Sequence, residues 1–270
     1  MKIMDGHEVA RYFKELIRQG VPADLIPCLE VIQVGNDPAS NVYIRSKQKA
    51  FEDMGWSFLH VTGPEDSTAH EIKRAIRTLN EDPSVHGIMV QLPLPATINP
   101  EEVLSDIAPE KDVDGFNPVS HFLPCTALGI RLMLDYYNIP IQGKHAVVVG
   151  RSDIVGKPTA NELLADNATV TMCHSYTPNL AAFTQQADIL VVAAGKPKLI
   201  TGDMVKPGAV VIDVGINRVD GKLVGDVDFE TVKDVAEWIT PVPGGVGPMT
   251  VTGLLMNTIN AAMEVQQCPT

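Results

Sequence analysis

Lys47 is the residue whose setting most invites chemistry. At about 100° per residue, the stretch from Ser40 to Met54 puts Ala50, Tyr43, Met54, Lys47, Phe51 and Ile44 on one arc. Gln48, Glu52, Arg45, Lys49, Asp53 and Ser46 fill the opposite side. A lysine inside an apolar arc has two readings. Its stem can lie along apolar surface while the ammonium stays in water. Alternatively, the amine enters a pocket, where desolvation lowers its pKa and lets it act as a base. Tyr43 stands one turn earlier on the same face.

Three further stretches carry polar groups with two readings each. Gln91 ends the run from Val85 to Leu92, which Pro93 and Pro95 stop. Ligands bind beyond the carboxyl ends of strands in open parallel sheets, but a polar strand end meeting water is equally ordinary. Asp114 stands in Asp112-Val113-Asp114-Gly115, and Asp-Gly is first of all a turn. The cluster Pro241 to Pro248 opens a final helix predicted from Met249 to Val265. Its glycines allow close approach to a ligand, and the helix N-terminus adds partial positive charge. A linker between domains would look the same.

The segment from His145 to Ser175 reads as strand, tight turn, helix and strand. Ala146 to Val149 is an unbroken apolar run, Gly150 permits the turn, and Gly156 opens the helix with Pro158 in its first turn. Thr169 to Cys173 is the second strand. Such a unit presents backbone N–H groups to the phosphates of a dinucleotide. Here Arg151 and Ser152 replace a bare glycine turn, and Cys173, His174 and Ser175 stand where a ribose-binding carboxylate is usual. A carboxylate there would repel a 2′-phosphate, whereas Arg, Ser and His can bind one. NADP is therefore favoured over NAD.

The elements that must position these groups alternate along the chain. Helices are predicted after Asp5-Gly6 as far as Gln19, from about Ser40 to Met54, from Thr68 to Asn80 and from about Thr126 to Tyr137. Strands are predicted at Cys28 to Val34, Ser57 to Thr62, Val85 to Leu92, Ile189 to Ala194 and Val210 to Val214. Strand–helix alternation from Lys144 onward implies a doubly wound sheet. The break near Pro118 to Pro124 separates two α/β domains, the last helix returning to the first. With 270 residues, 45% of them hydrophobic and 20% charged, the chain has the composition of a globular protein. Its net charge of −12 argues against nucleic acid or an anionic membrane as a general partner. Cys28, Cys125, Cys173 and Cys268 are too far apart for a C-x-x-C pair, so no zinc site or disulfide framework is predicted. No signal-peptide core or membrane-length apolar run is present, which leads to an expected cytoplasmic location.

Taken together, NDPASNVYIRSKQKA, GIMVQLPLP, PEKDVDGFNP, PCTALG, GKHAVVVGRSDIVGKPTA, ATVTMCHSYT, GAVVIDVGIN and TPVPGGVGPMT resemble the bifunctional methylenetetrahydrofolate dehydrogenase/methenyltetrahydrofolate cyclohydrolase family. They run in order over nearly the whole chain. The resemblance implies a folate-binding catalytic domain, residues 1–124 with 250–270, and a Rossmann-like NADP-binding domain, residues 125–249, with the active site in the cleft between. It implies oxidation of methylenetetrahydrofolate with NADP, then hydrolysis to formyltetrahydrofolate, without a metal.

Residue by residue, the resemblance makes Lys47 the catalytic base or acid and Tyr43 the ring that stacks on folate. Gln91 bonds near Lys47, Asp114 holds the pterin, and Val90 and Leu92 flank Gln91 in the folate pocket. Pro243, Gly244, Gly245, Val246 and Gly247 close over the substrate. Gly150, Arg151, Ser152, Ser175 and Ile216 bind NADP. A homodimer through the cofactor domains is also implied. The sequence departs from the family pattern in one place. The segment from Pro118 to Pro124 lacks most of a loop usual there, and Asn117 replaces a histidine.

Overall fold

The computed structural model of the chain describes residues 1–267; Cys268 lies outside the described residues. The first strand is Lys2–Ile3 (β1), followed by Gly6–Gly20 (α1). Then come Cys28–Val34 (β2), Pro38–Met54 (α2), Ser57–Gly63 (β3), Ala69–Glu81 (α3), Gly87–Val90 (β4) and Pro100–Leu104 (α4). Cys125–Tyr136 (α5) leads to His145–Val149 (β5), Gly156–Ala165 (α6), Thr169–Cys173 (β6), Leu180–Thr184 (α7) and Ile189–Val192 (β7). Val210–Asp213 (β8) precedes the hairpin Asn217–Val219 (β9) and Lys222–Val224 (β10). Phe229–Val232 (α8), Trp238–Ile239 (β11) and Val246–Gln267 (α9) complete the chain.

Two compact units emerge. Lys14–Cys125 with Val251–Thr270 forms one, and Met1–Phe13 with Thr126–Thr250 the other. Residues 1–13 thus fall with the second unit, whereas the sequence reading placed them with the first. The cause is backbone pairing: β1 runs parallel to β11, with Lys2 opposite Trp238 and Ile3 opposite Ile239. Two-residue strands lack the period on which a sequence reading depends.

In the first unit, β2 is the centre of a parallel sheet of order β3-β2-β4. Its apolar residues feed a core on each face, as a covered parallel strand requires. Leu29 and Val31 join Phe51, Met89 and Leu255 in one cluster. Ile32 and Val34 join Ile72, Ile76 and Ile88 in the other. A capping box starts α3, where the Thr68 side chain accepts from Glu71 N and the Glu71 carboxylate accepts from Thr68 N.

In the second unit, six parallel strands lie in the order β1-β11-β8-β7-β5-β6. From β5 the chain moves out to β6 and then returns to the other side at β7, so the strand order reverses at β5. Open parallel sheets bind ligands outside the carboxyl ends of strands at such a point. Val147, Val149, Leu190, Val192 and Val211 fill its core. Among the described residues, no helix is long and apolar enough to cross a membrane.

Candidate active site and cofactor site

Helix α2 is fixed at both ends. The Asp37 carboxylate accepts from Ser40 N at 2.7 Å and Ser40 Oγ at 2.9 Å, satisfying a donor that the helix start leaves unpaired. Gly55, at φ 74°, takes the left-handed turn that ends the helix. Ile44, Ala50 and Phe51 bury one face, and Lys47 sits half-buried beside them. Its Nζ donates to Gln91 Oε1 at 3.1 Å and lies 3.2 Å from Met89 Sδ.

Gln91 is held just as closely. It lies immediately past β4, where its backbone N–H donates to Ile32 O at 2.8 Å. Its Nε2 donates to Leu92 O at 2.6 Å. With the amide nitrogen committed to that carbonyl, only Oε1 is left to meet the lysine. The strand ends at Val90, earlier than the predicted Leu92, and Pro93, which has no N–H to donate, follows directly after Leu92.

The electrostatics set the protonation. Burial pushes the Lys47 pKa down, while Asp114 and Cys125 pull it back up. Burial raises the Asp114 carboxyl, and Lys47 opposes that rise. Cys125 is kept a thiol, first by burial and then by Asp114. A lysine amine, a glutamine amide, a carboxyl and a thiol therefore form one half-dry cluster that can move a proton.

The other residues of the substrate reading fall in different settings. Tyr43 stands one turn before Lys47 with 41% of its surface exposed. Leu92 is half-buried. Val90 is 1% exposed and packs in the core with Ile32 and Ile88. Pro243, Gly244, Gly245, Val246 and Gly247 belong to the other unit. There Gly244 O accepts from Gly6 N at 2.8 Å. A Cβ on Gly6 would lie 1.7 Å from Gly245 O, so this loop packs backbone to backbone. Val246, buried, opens α9 three residues before the predicted start.

The cofactor reading falls on the carboxyl edge of the six-stranded sheet. Gly150 follows β5 at φ 127°, and a Cβ there would meet Ala193 O at 2.1 Å. A Cβ on Gly156 would come within 2.3 Å of Gly150 O. Both glycines are thus required for strand, turn and helix to close. Gly156 N donates to Ser152 Oγ at 3.3 Å. Arg151, Ser152 and Ser175 are exposed, and Ile216, past β8, is 48% exposed. The Arg151 guanidinium lies 5.9 Å from the Tyr176 ring centre. A glycine turn, exposed serine side chains, an exposed guanidinium and no acid at the end of β6 suit a dinucleotide bearing a 2′-phosphate.

Comparison with known proteins decides the family. Residues 4–114 match the tetrahydrofolate dehydrogenase/cyclohydrolase catalytic domain, and residues 124–266 match the NAD(P)-binding domain of the same family. The chain belongs to the tetrahydrofolate dehydrogenase/cyclohydrolase family. A bifunctional protein FolD from Exiguobacterium sibiricum is 55% identical over 96% of this chain and 99% of its own. The FolD methylenetetrahydrofolate dehydrogenase/cyclohydrolase of Campylobacter jejuni superposes with a TM-score of 0.92, 46% identity, and 98% and 99% coverage. A dehydrogenase-cyclohydrolase from Trypanosoma brucei, complexed with NADP cofactor and inhibitor, gives a TM-score of 0.92 at 38% identity, covering 98% of both chains.

The stretch between the two family matches is the departure noted in the sequence. Its start is packed in: Asn117 is 6% exposed, its N donates to Asp112 Oδ2 at 2.8 Å, and its Nδ2 donates to Ile107 O at 2.8 Å. Sequence reasoning missed several polar groups here and elsewhere. Met89 was signalled by its position two residues before Gln91, hence on the same strand face. Cys125 lay in a quoted motif without a role. Asp213 and Asp226 gave no signal, yet Asp226 Oδ2 accepts from Ala194 N at 2.6 Å and Gly195 N at 2.8 Å. That contact fixes the turn after β7.

Proposed function

We propose that this chain oxidises methylenetetrahydrofolate to methenyltetrahydrofolate with NADP and then hydrolyses the product to formyltetrahydrofolate. The observation that carries the reading is the Lys47–Gln91 pair, 3.1 Å apart, with the lysine pKa pushed down. Bound NADP supplies the hydride acceptor. Its partners on this chain are Gly150, Arg151, Ser152, Ser175 and Ile216, with Arg151 taking the 2′-phosphate.

In the hydrolytic step, neutral Lys47 takes a proton from water as the oxygen bonds to the methenyl carbon. The resulting ammonium returns that proton to a folate nitrogen as the carbon–nitrogen bond breaks, while the carbinol O–H proton passes to solvent, leaving a neutral formyl group. A base with a pKa lowered towards neutrality suits both transfers. Gln91 orients the amine without adding a charge that would raise its pKa. Tyr43 stacks on the folate, Asp114 accepts from pterin N–H groups, and Val90 and Leu92 fix the strand end behind Gln91. Pro243 to Gly247 close over the substrate. A homodimer through the cofactor-binding units and a cytoplasmic location complete the reading.

Purified protein given methylenetetrahydrofolate and NADP should form NADPH, and given methenyltetrahydrofolate should lose its absorbance. NAD should be a poorer oxidant. Absence of both turnovers would overturn the assignment.

A further inference from the structure

The reading of Asp114 as the pterin acceptor raises a physical problem. Asp114 sits on an irregular strap, not on a strand or helix, and imprecision at a binding carboxylate is costly. The strap is two short arms meeting side by side. Asp114 O accepts from Cys125 N at 3.3 Å, and Gly115, at φ 75°, has no room for a Cβ, which would lie 2.6 Å from Pro124 N. Two carbonyls, Val113 O and Leu123 O, end one on each arm. Among the described residues no backbone N–H reaches either of them.

Asn257 meets both. Its Nδ2 donates to Val113 O at 2.9 Å and to Leu123 O at 2.9 Å, and lies 3.7 Å from Cys125 Sγ. The thiol in turn donates to Val113 O at 3.2 Å. Asn257 is 3% exposed on α9. One turn earlier, on the same helix face, Gly253 lets the helix approach, since a Cβ there would lie 2.6 Å from Cys125 O. A side-chain amide nitrogen carries two N–H donors, and here the Asn257 amide uses that nitrogen to span the two arms of the strap that carries Asp114.

We infer that Asn257 is a positioning residue for folate: it clamps the two arms of the 113–125 strap and so fixes Asp114 in its binding geometry. This rests on the reading of Asp114 as a folate ligand. Substitution would leave Lys47, Gln91 and the cofactor-binding unit in place, yet leave Leu123 O unpaired, Val113 O with the Cys125 thiol alone, and the two arms no longer tied to each other.

The test is Asn257→Leu, close in volume but without donors, measured for methylenetetrahydrofolate and NADP separately. The KM for folate should rise about tenfold or more, with the KM for NADP unchanged and the protein folded by its melting temperature. Should the leucine variant not fold, Asn257→Asp, matched in shape and lacking the N–H pair, takes its place with the same expected result. Asp114→Ala and the double variant complete a cycle. If Asn257 acts through Asp114, the double variant loses no more folate affinity than Asp114→Ala alone. A folded Asn257 variant with unchanged folate KM, an equal loss toward both ligands, or full additivity with Asp114→Ala overturns the inference. An Asp114→Ala variant with normal folate KM overturns the Asp114 reading instead, so the two failures are separable.

Discussion

At the residue scale, the reaction turns on whether a lysine can be a base near neutral pH. The structure supplies causes in favour, a half-buried amine with a neutral amide 3.1 Å and a thioether 3.2 Å away, and burial outweighs the opposing pull of Asp114 and Cys125. Below its lowered pKa the amine is an ammonium and cannot take a proton from water, so cyclohydrolase activity should fall as pH drops. Lys47→Met keeps the stem and removes the amine. It should reduce cyclohydrolase by about a hundredfold or more and dehydrogenase far less, both assayed on one folded preparation. Arg151 answers a different question. Arg151→Ala should weaken NADP by about tenfold through a lost charge-assisted contact while leaving NAD little changed, as titration with each cofactor would reveal. Equal losses would make Arg151 structural. Both residues were singled out in the sequence, one from a helical arc and one beside an absent acid, and the structure places the first half-buried against Gln91 and the second exposed. The strap around Asp114 was not, because its geometry depends on Asn257, which is 143 residues away, and no local pattern links them.

At the element scale, legibility followed the length and the period of each segment. The strands Cys28–Val34 and Thr169–Cys173 stand where their β-branched and apolar runs placed them, because such side chains fit a pleated surface. β1, β11 and the β9–β10 hairpin were not visible. Each is only two or three residues long, and pairing rather than pattern defines it. The start of α2 shifted from Ser40 to Pro38 once Asp37 was seen to be its cap. That cap has a consequence for the site, since α2 carries both Tyr43 and Lys47. Bonds to Ser40 hold the Asp37 carboxyl below its usual range, so its contribution is present above the ordinary aspartate pKa and fades as pH falls through the lowered one. Asp37→Ala should lower the melting temperature by a few degrees and raise the KM for folate modestly, with the KM for NADP unchanged. An unchanged melting temperature would show that the cap contributes nothing to the fold.

At the scale of the whole molecule, each unit buries one carboxyl whose pKa is pushed up to about 6: Asp112 in one and Asp213 in the other, both mainly by burial. They differ in what surrounds them. Asp213 accepts from Gly215 N, Asp226 N and Val227 N, all at 2.9 Å, so an amide in its place would turn a donor toward donors. Asp112 accepts from Asn117 N through Oδ2, while its buried Oδ1 has no partner. The folded pKa of each lies above the unfolded value of 3.8. The folded chain therefore holds protons that the unfolded chain releases. Their contribution to stability is full below about pH 4 and is lost as pH rises through about 6. His60 and His86, held low chiefly by burial, act in the opposite direction on acidification, so the melting profile of the parent mixes both trends. The difference between parent and variant isolates one group. Asp112→Asn keeps the acceptor for Asn117 and cannot ionise. Relative to the parent it should gain on the order of 2 kcal/mol in unfolding free energy between pH 4 and pH 8, most of the change falling between about pH 4 and 6. Denaturant titrations at closely spaced pH values measure that difference. A difference independent of pH would mean Asp112 is ionised in the folded chain throughout, with its bare oxygen solvated after all.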